Sequence, residues 1–431
     1  MDYTSVPGKV DGEVCIPGSK SHTIRAVLIA SMAEGTSRIR NPLYSADTRS
    51  CIAACRAFGA QIHESPDCIT VSGTGGAPHE PSEVIDVGNS GTTLYLAVSM
   101  AALIDGSTVF TGDNQILSRP VGPLLESLKD LGATIEYLES IGYPPFRITG
   151  PIHTGETSIV CETSQYLSSL LLALPLIHSD KKEYSRIHVP LLNERPYIQI
   201  SLDWLAGQGI HLHGGDWSEW EVTSGQRYSA FDKAIPGDFS SASFFLCAAA
   251  MTGSKLRLTG LDMNDSQGDK AVVGILEEMG CSVWAEADSV SIAGPGHPDC
   301  PAARLKGGQF DLNAIPDALP ILACCACFAS EEVALVNVAQ ARLKETDRIA
   351  VMTAELTKMG ADIEERPDGL LIRPSRLSGC YVHGHGDHRV VMSLAIAGLA
   401  AESGETTIDT AESAAVTFPN FFELLEGIRR Q

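Results

Sequence analysis

The feature that most constrains this chain is a helix that ends in glycine and runs straight into a strand, recurring along the sequence. It reads "CRAFGAQI", "LKDLGATI", "LAGQGIHL", "LEEMGCSV" and "LTKMGADI", with the marking residues Gly59, Gly132, Gly209, Gly280 and Gly360 about 70–80 positions apart. Glycine just past a helix supplies the left-handed cap that other residues adopt reluctantly. A fixed period of this kind predicts a fold assembled from repeated units. A sixth helix, "FPNFFELLEGIRRQ", closes the chain, and the N-terminal "GKVDGEVCI" is expected to supply the strand that follows it.

A second series runs in step with the first. Each unit carries a polar cluster followed by an Ala- and Leu-rich helix: "GSKSHTIRAVLIASMA", "GNSGTTLYLAVSMAAL", "ETSQYLSSLLLALPL", "GDFSSASFFLCAAAM", "IPDALPILACCACFA" and "GDHRVVMSLAIAGLA". These helices are apolar nearly all round, so they belong inside. Each unit therefore reads strand, buried helix, strand, surface helix, strand, strand. Six such units exceed a single core, and 431 residues divide naturally into two domains of three units each.

Bulk composition excludes several functions. The 44% hydrophobic and 19% charged content is that of a soluble globular chain. The apolar runs, such as "ALPILACCACFA", fall short of the ~20 residues that span a bilayer. "MDYTSVPGKV" has no basic-then-apolar signal pattern, so a cytoplasmic setting is expected. A net charge of −22 makes nucleic acid and anionic membrane poor partners, since both need a basic surface. The twelve cysteines lack paired CxxC or histidine spacing and read as small hydrophobes, not as a zinc or disulfide framework. "HGHGDH", from His383 to His388, reads as a glycine-rich loop, and no metal is expected.

The polar clusters stand at helix N-termini, where unpaired N–H groups and the macrodipole favour anions. Ordinary capping explains any one of them. Six in register, several carrying Lys, Arg or Asp, point to a site for a small anion. "KETDR", Lys344 to Arg348, gathers charge at the head of an apolar helix instead of spreading it along a solvated face.

Taken together, "PGSKS…R" (Pro17 to Arg25), "GNSGT" (Gly88 to Thr92), "SRPVG" (Ser118 to Gly122), "TSQYL" (Thr163 to Leu167), "RPYI" (Arg195 to Ile198), "IPDA" (Ile315 to Ala318), "KETDR" and "DHR" (Asp387 to Arg389) resemble the enolpyruvyl transferase family over essentially the whole chain. The resemblance is to the branch acting on shikimate 3-phosphate. The branch acting on a UDP-amino sugar, with its cysteine-bearing loop and other C-terminal motifs, is the lesser match. It implies an α/β fold of two domains, each an inside-out α/β barrel of three βαβαββ repeats with buried parallel helices. One domain would span 18–234, and the other would join residues 1–17 to 235–431.

The implied reaction moves the enolpyruvyl group of phosphoenolpyruvate to the 5-hydroxyl of shikimate 3-phosphate and releases phosphate. It passes through a tetrahedral addition–elimination intermediate and serves aromatic amino-acid biosynthesis. It implies no cofactor, and a monomer is expected. Carried over by motif, Lys20, Asn89, Gly91, Arg119, Gln165, Arg348 and Arg389 would hold phosphoenolpyruvate. Ser21, Arg25, Thr163, Ser164, Gln165, Tyr197, Asp317, Gln340 and Lys344 would hold the acceptor. Lys20, Asp317 and Glu345 would carry the protons.

Four positions depart from the family pattern. Tyr95 replaces the basic residue four positions after the glycine of "GNSGT", and Gln340 replaces an asparagine. Val416 stands where a lysine often precedes "TFP". Glu194 replaces the serine before "RPY", close to where the resemblance puts the acceptor phosphate. Either Arg195 neutralises Glu194 and the loop is shifted, or Glu194 faces the acceptor. Two other readings therefore stay open: a relative using another, unphosphorylated cyclic alcohol, and a ligand-binding relative without turnover. Retention of Lys20, Asp317 and Glu345 argues against the last, because a binding module needs no proton-transfer set.

Overall fold

In the computed structural model, which describes residues 1–179 and 183–430, the chain separates into two compact units. One joins Met1–Ser19 to Pro236–Gln431, and the other is Lys20–Ile235. The helices are α1 (Lys20–Met32), α2 (Ala46–Ala57), α3 (Gly91–Ala101), α4 (Gly122–Asp130), α5 (Ser164–Ala173), α6 (Arg195–Gly207), α7 (Phe239–Thr252), α8 (Ala271–Glu278), α9 (Leu319–Ala326), α10 (Arg348–Lys358), α11 (His388–Ala400) and α12 (Phe421–Ile428).

Odd-numbered helices are the buried ones. Every residue from Phe239 to Ala250 in α7, and from His388 to Leu399 in α11, is buried. Even-numbered helices carry one apolar stripe. In α10 the buried residues are Arg348, Ile349, Met352, Glu355 and Leu356, which fall on one face of a 3.6-residue period. The glycines that end α2, α4, α6, α8 and α10 all take positive φ, between 69° and 106°. That conformation is open to glycine and turns the chain directly into the next strand.

The described strands form six small sheets of three to five strands, three in each unit, and none closes into a barrel. Each sheet contains a parallel pair flanking a buried helix. In the second unit the pairs are Asp232–Ala234 with Thr36–Arg40, Ile85–Asp86 with Ser107–Thr111, and Glu156–Cys161 with Tyr184–Leu192. Burial alternates along strands such as Glu156–Cys161, so one face packs on the core and the other meets water. Helices are thus inside and sheets outside in each unit, around a separate hydrophobic core.

The N-terminus departs from expectation. Lys9–Cys15 pairs in parallel with Lys255–Thr259, leading the sheet before α7, and in antiparallel fashion with Arg429–Arg430 after α12. Tyr3–Ser5 is the segment that completes the sixth sheet, beside Thr406–Ile408. Two short strands share the role given to one because Pro7 and Gly8 break the run between them.

Phe245 anchors α7 against the C-terminal segment, with its ring centroid 5.9 Å from Phe418 and 5.8 Å from Phe421. Phe245→Ala is therefore expected to lower the stability of the full chain by about 3–5 kcal/mol in urea denaturation. A loss below about 1 kcal/mol would remove this contact from the core that holds the unit together.

Candidate active site

The starts of the buried helices carry most of the predicted site residues. In the unit Lys20–Ile235, Lys20 is the first residue of α1, and its Nζ lies 3.1 Å from Asp47 Oδ2. Arg25, one turn on, is buried. Its Nε donates to Ser201 Oγ (2.8 Å), Nη1 to the Ser21 carbonyl (3.1 Å), and Nη2 to the Tyr197 carbonyl (3.1 Å) and Ser168 Oγ (3.4 Å). Those partners are neutral oxygens, and burial pulls the Arg25 guanidinium down to about 10. An anionic ligand close by would favour its charged form.

At α3, a Cβ placed on Gly91 would lie 2.1 Å from Arg119 Nη1, so the missing side chain is what lets this guanidinium lie on the helix start. Asn89 Nδ2 donates to Asp113 Oδ2 (2.7 Å) and Gln115 Oε1 (2.6 Å). Tyr95 belongs to the core of its unit. It is buried, its hydroxyl donates to the Pro120 carbonyl at 3.1 Å, and Tyr166 donates to the same oxygen at 2.7 Å. The two tyrosines therefore pin the backbone immediately after Arg119.

At α5, Thr163 is the N-cap, and its Oγ1 accepts from the Gln165 N–H. Glu194 reaches the same place from the start of α6. Its Oε2 accepts from Thr163 Oγ1 (3.2 Å), the Ser164 N–H (3.2 Å) and Ser164 Oγ (2.9 Å). Glu194 is buried and sits at φ 58°, a left-handed conformation costing a non-glycine residue about 1–2 kcal/mol. Arg195 is exposed and lies over the Trp217 ring, 5.8 Å from its centroid. The carboxylate thus faces the predicted acceptor residues and engages hydroxyl and N–H donors there.

In the other unit one guanidinium organises everything. Arg348, the first residue of α10, is 1% exposed. Its Nη1 bonds Asp317 Oδ1 (2.8 Å), Nη2 bonds Glu345 Oε2 (2.5 Å), and Nε bonds Asp387 Oδ2 (2.9 Å). Asp317 bridges to the next cation, with its Oδ2 3.0 Å from Arg389 Nη2. Burial works against the charge on Arg348, but Asp387, Glu345 and Asp317 outweigh it and hold the group far above its ordinary range. Burial likewise pushes Asp387 up, and Arg348 beside it wins, leaving Asp387 below the usual aspartate range. Asp387 also caps α11, accepting from the Arg389 and Val390 N–H groups.

The remaining predicted residues are nearby on the same turns. Gln340 Nε2 donates to the Asn313 carbonyl at 3.0 Å, and Lys344 is partly exposed at the head of "KETDR". Arg342 serves the turn itself, bonding Asp347 at 2.7 Å and Glu365 at 2.9 Å. Sequence reasoning missed Asp47 and Asp387 as partners of Lys20 and Arg348. An aspartate at the head of a buried helix, as in "GDHR", is the signal that was available for Asp387. His383 and His385 of "HGHGDH" each meet a carboxylate, Asp409 at 2.7 Å and Glu355 at 2.9 Å, which ties the loop down ahead of Asp387.

A chain of six such units, with guanidinium and ammonium groups fixed at the starts of buried helices, belongs to the class that handles small anionic substrates. The family model described as EPSP synthase (3-phosphoshikimate 1-carboxyvinyltransferase) matches residues 5–425, and this chain belongs to that family. The 3-phosphoshikimate 1-carboxyvinyltransferase of Acetivibrio thermocellus is 52% identical over 417 residues, spanning 97% of this chain and 96% of the relative. The enzyme of the same name from Methanococcoides burtonii is 41% identical, spanning 99% and 98%. A solved EPSP synthase structure from Acinetobacter baumannii matches with a TM-score of 0.81 at 27% identity, covering 99% of this chain and 98% of that one.

The Asp387 shift makes stability depend on pH. A carboxyl depressed on folding contributes stability that is present above its unfolded value, about 3.9, and lost as pH falls through the lower folded value. Asp387→Asn should therefore be destabilised by a constant amount from about pH 5 to pH 8, with the gap to the parent chain narrowing below about pH 4. Urea midpoints across that range test this, and a gap that widens in acid would contradict it.

Proposed function

We infer that this chain transfers the carboxyvinyl group of phosphoenolpyruvate to the 5-hydroxyl of shikimate 3-phosphate and releases phosphate. The observation that carries this reading, beside family membership, is the cluster of Asp317, Glu345 and Asp387 around Arg348. A module that only bound anions would need the guanidiniums. One carboxylate offsets one buried guanidinium, and further ones repel an anionic ligand.

The reaction needs both. The acceptor hydroxyl loses a proton as its oxygen attacks C2 of the donor, while C3 gains a proton to become a methyl group. The tetrahedral adduct then loses a C3 proton, and the C2–O bond to phosphate breaks with its electron pair leaving on phosphate. We assign these transfers to Asp317 and Glu345, with Lys20 as a third proton carrier. Arg119, Arg348 and Arg389 take the donor's carboxylate and phosphate in bidentate fashion, helped by Lys20, Asn89, Gln165 and the backbone at Gly91. Ser21, Arg25, Thr163, Ser164, Gln165, Tyr197, Asp317, Gln340 and Lys344 hold the acceptor.

Asp317, Glu345 and Asp387 stand together around Arg348. A bound anion adds like charge at contact distance and favours proton uptake by a carboxylate. The proton taken up is then available to the donor's methylene. Free thiols throughout fit a reducing cytoplasm, and we propose that the chain works there as a monomer.

Kinetics on the full chain separate the roles. Glu345→Gln and Asp317→Asn are expected to retain phosphoenolpyruvate binding while losing about 10²–10⁴-fold in kcat. Arg119→Ala should chiefly raise KM for phosphoenolpyruvate. Gly91→Ala should do the same with the fold intact, because its Cβ displaces only the end of the Arg119 side chain. Turnover of Glu345→Gln near that of the parent would refute its assignment.

A further inference from the structure

We propose that Glu194 is a displaceable internal occupant of the acceptor's phosphate subsite, setting how strongly the enzyme prefers a phosphorylated acceptor over its unphosphorylated counterpart. The inference rests on the reading above that Thr163 and Ser164 belong to the acceptor site.

The donors at the start of α5 are two hydroxyls and a backbone N–H, converging on one oxygen at 2.9–3.2 Å. That is an anion cradle: hydroxyls that rotate to donate, an N–H aimed along a helix axis, and the positive end of a helix dipole. A phosphate oxygen makes the same bonds as a carboxylate oxygen does. Here the cradle is filled from within the chain. Glu194 stands at the N-cap of α6 yet makes no side-chain cap bond to that helix, and its Oε2 meets the start of α5. Its side chain is attached to a residue held at φ 58° and followed by the exposed Arg195. Arg25, whose partners are neutral oxygens, is tied to the same region through the Tyr197 carbonyl and Ser168 Oγ.

Two anions cannot share these donors. A phosphate dianion meeting the Glu194 carboxylate in place would compete with it for the same donors and face repulsion between the two sets of oxygens. The acceptor's phosphate therefore binds only the fraction of molecules in which Glu194 has left the cradle, and apparent affinity falls by that fraction. An acceptor without the phosphate makes no such demand. The penalty is specific to the phosphate, which distinguishes it from a general loosening of the site.

The readout is the ratio of kcat/KM for shikimate 3-phosphate to kcat/KM for shikimate, measured with phosphoenolpyruvate saturating. Glu194→Ser keeps a donor in the cradle and removes the occupant, and should raise this ratio about tenfold. Glu194→Gln is nearly isosteric and neutral, and should raise it by a smaller factor. It guards against misfolding of the serine variant. Ser164→Ala removes a donor and should lower the ratio. In parallel, inorganic phosphate should inhibit Glu194→Ser competitively against shikimate 3-phosphate at lower concentration than it inhibits the parent. An unchanged ratio in both Glu194 variants, with Ser164→Ala lowering it, overturns the proposal and leaves the acceptor site standing. An unchanged ratio in Ser164→Ala shows that the cradle does not serve the acceptor, and the proposal falls with that assignment.

Discussion

The charge-assisted bonds of Arg348 to three carboxylates are the interaction on which the rest of its unit depends. A guanidinium 1% exposed needs compensation, since a buried unpaired charge costs several kcal/mol. Compensation comes from three directions at once, because Asp317 precedes α9, Glu345 precedes α10 and Asp387 caps α11. Each of those helices is fixed by burial, so the carboxylates are placed by the hydrophobic core. Arginine alone among the side chains offers planar donors to three acceptors in one fork. Thr346 adds a bond to Asp387 at 3.0 Å, so the turn before α10 and the cap of α11 are one network.

The same scaffold carries different chemistry in the other unit. There the helix starts present Lys20 against Asp47, Arg119 over Gly91, and Thr163 and Ser164 around Glu194. A helix start offers N–H groups and a fixed position, and which side chain arrives there decides its use. Repetition of one structural unit thus yields several distinct polar sites with little new architecture.

Much of this was legible in the sequence, and the reasons differ by residue. Gly59, Gly132, Gly209, Gly280 and Gly360 mark a backbone requirement, so they announce the repeat without reference to anything distant. The buried helices show in their all-round apolar composition. Pairing of the N-terminus was not legible, because "YTS" and "KVDGEVC" are both short strands and only the fold decides which edge each one joins. Within the site, residue types were readable but partners were not. Asp47 and Asp387 were missed since each lies far along the chain from the cation it meets, and only the fold brings them together. Glu194 was picked out by position, while its direction was not. Neutralisation by Arg195 fails because adjacent residues at a helix start do not face one another. Arg195 turns outward to Trp217, and Glu194 turns in.

Arg348 and Asp387 form one charge-coupled pair inside the protein. Carboxyl-carbon NMR of selectively labelled aspartate, followed from pH 2 to pH 7 in the parent chain and in Arg348→Met, measures it directly. An Asp387 midpoint below the ordinary value of about 3.9 is expected in the parent, with a rise once the guanidinium is gone. An Asp387 midpoint at or above the ordinary value in the parent, unmoved by Arg348→Met, would contradict it.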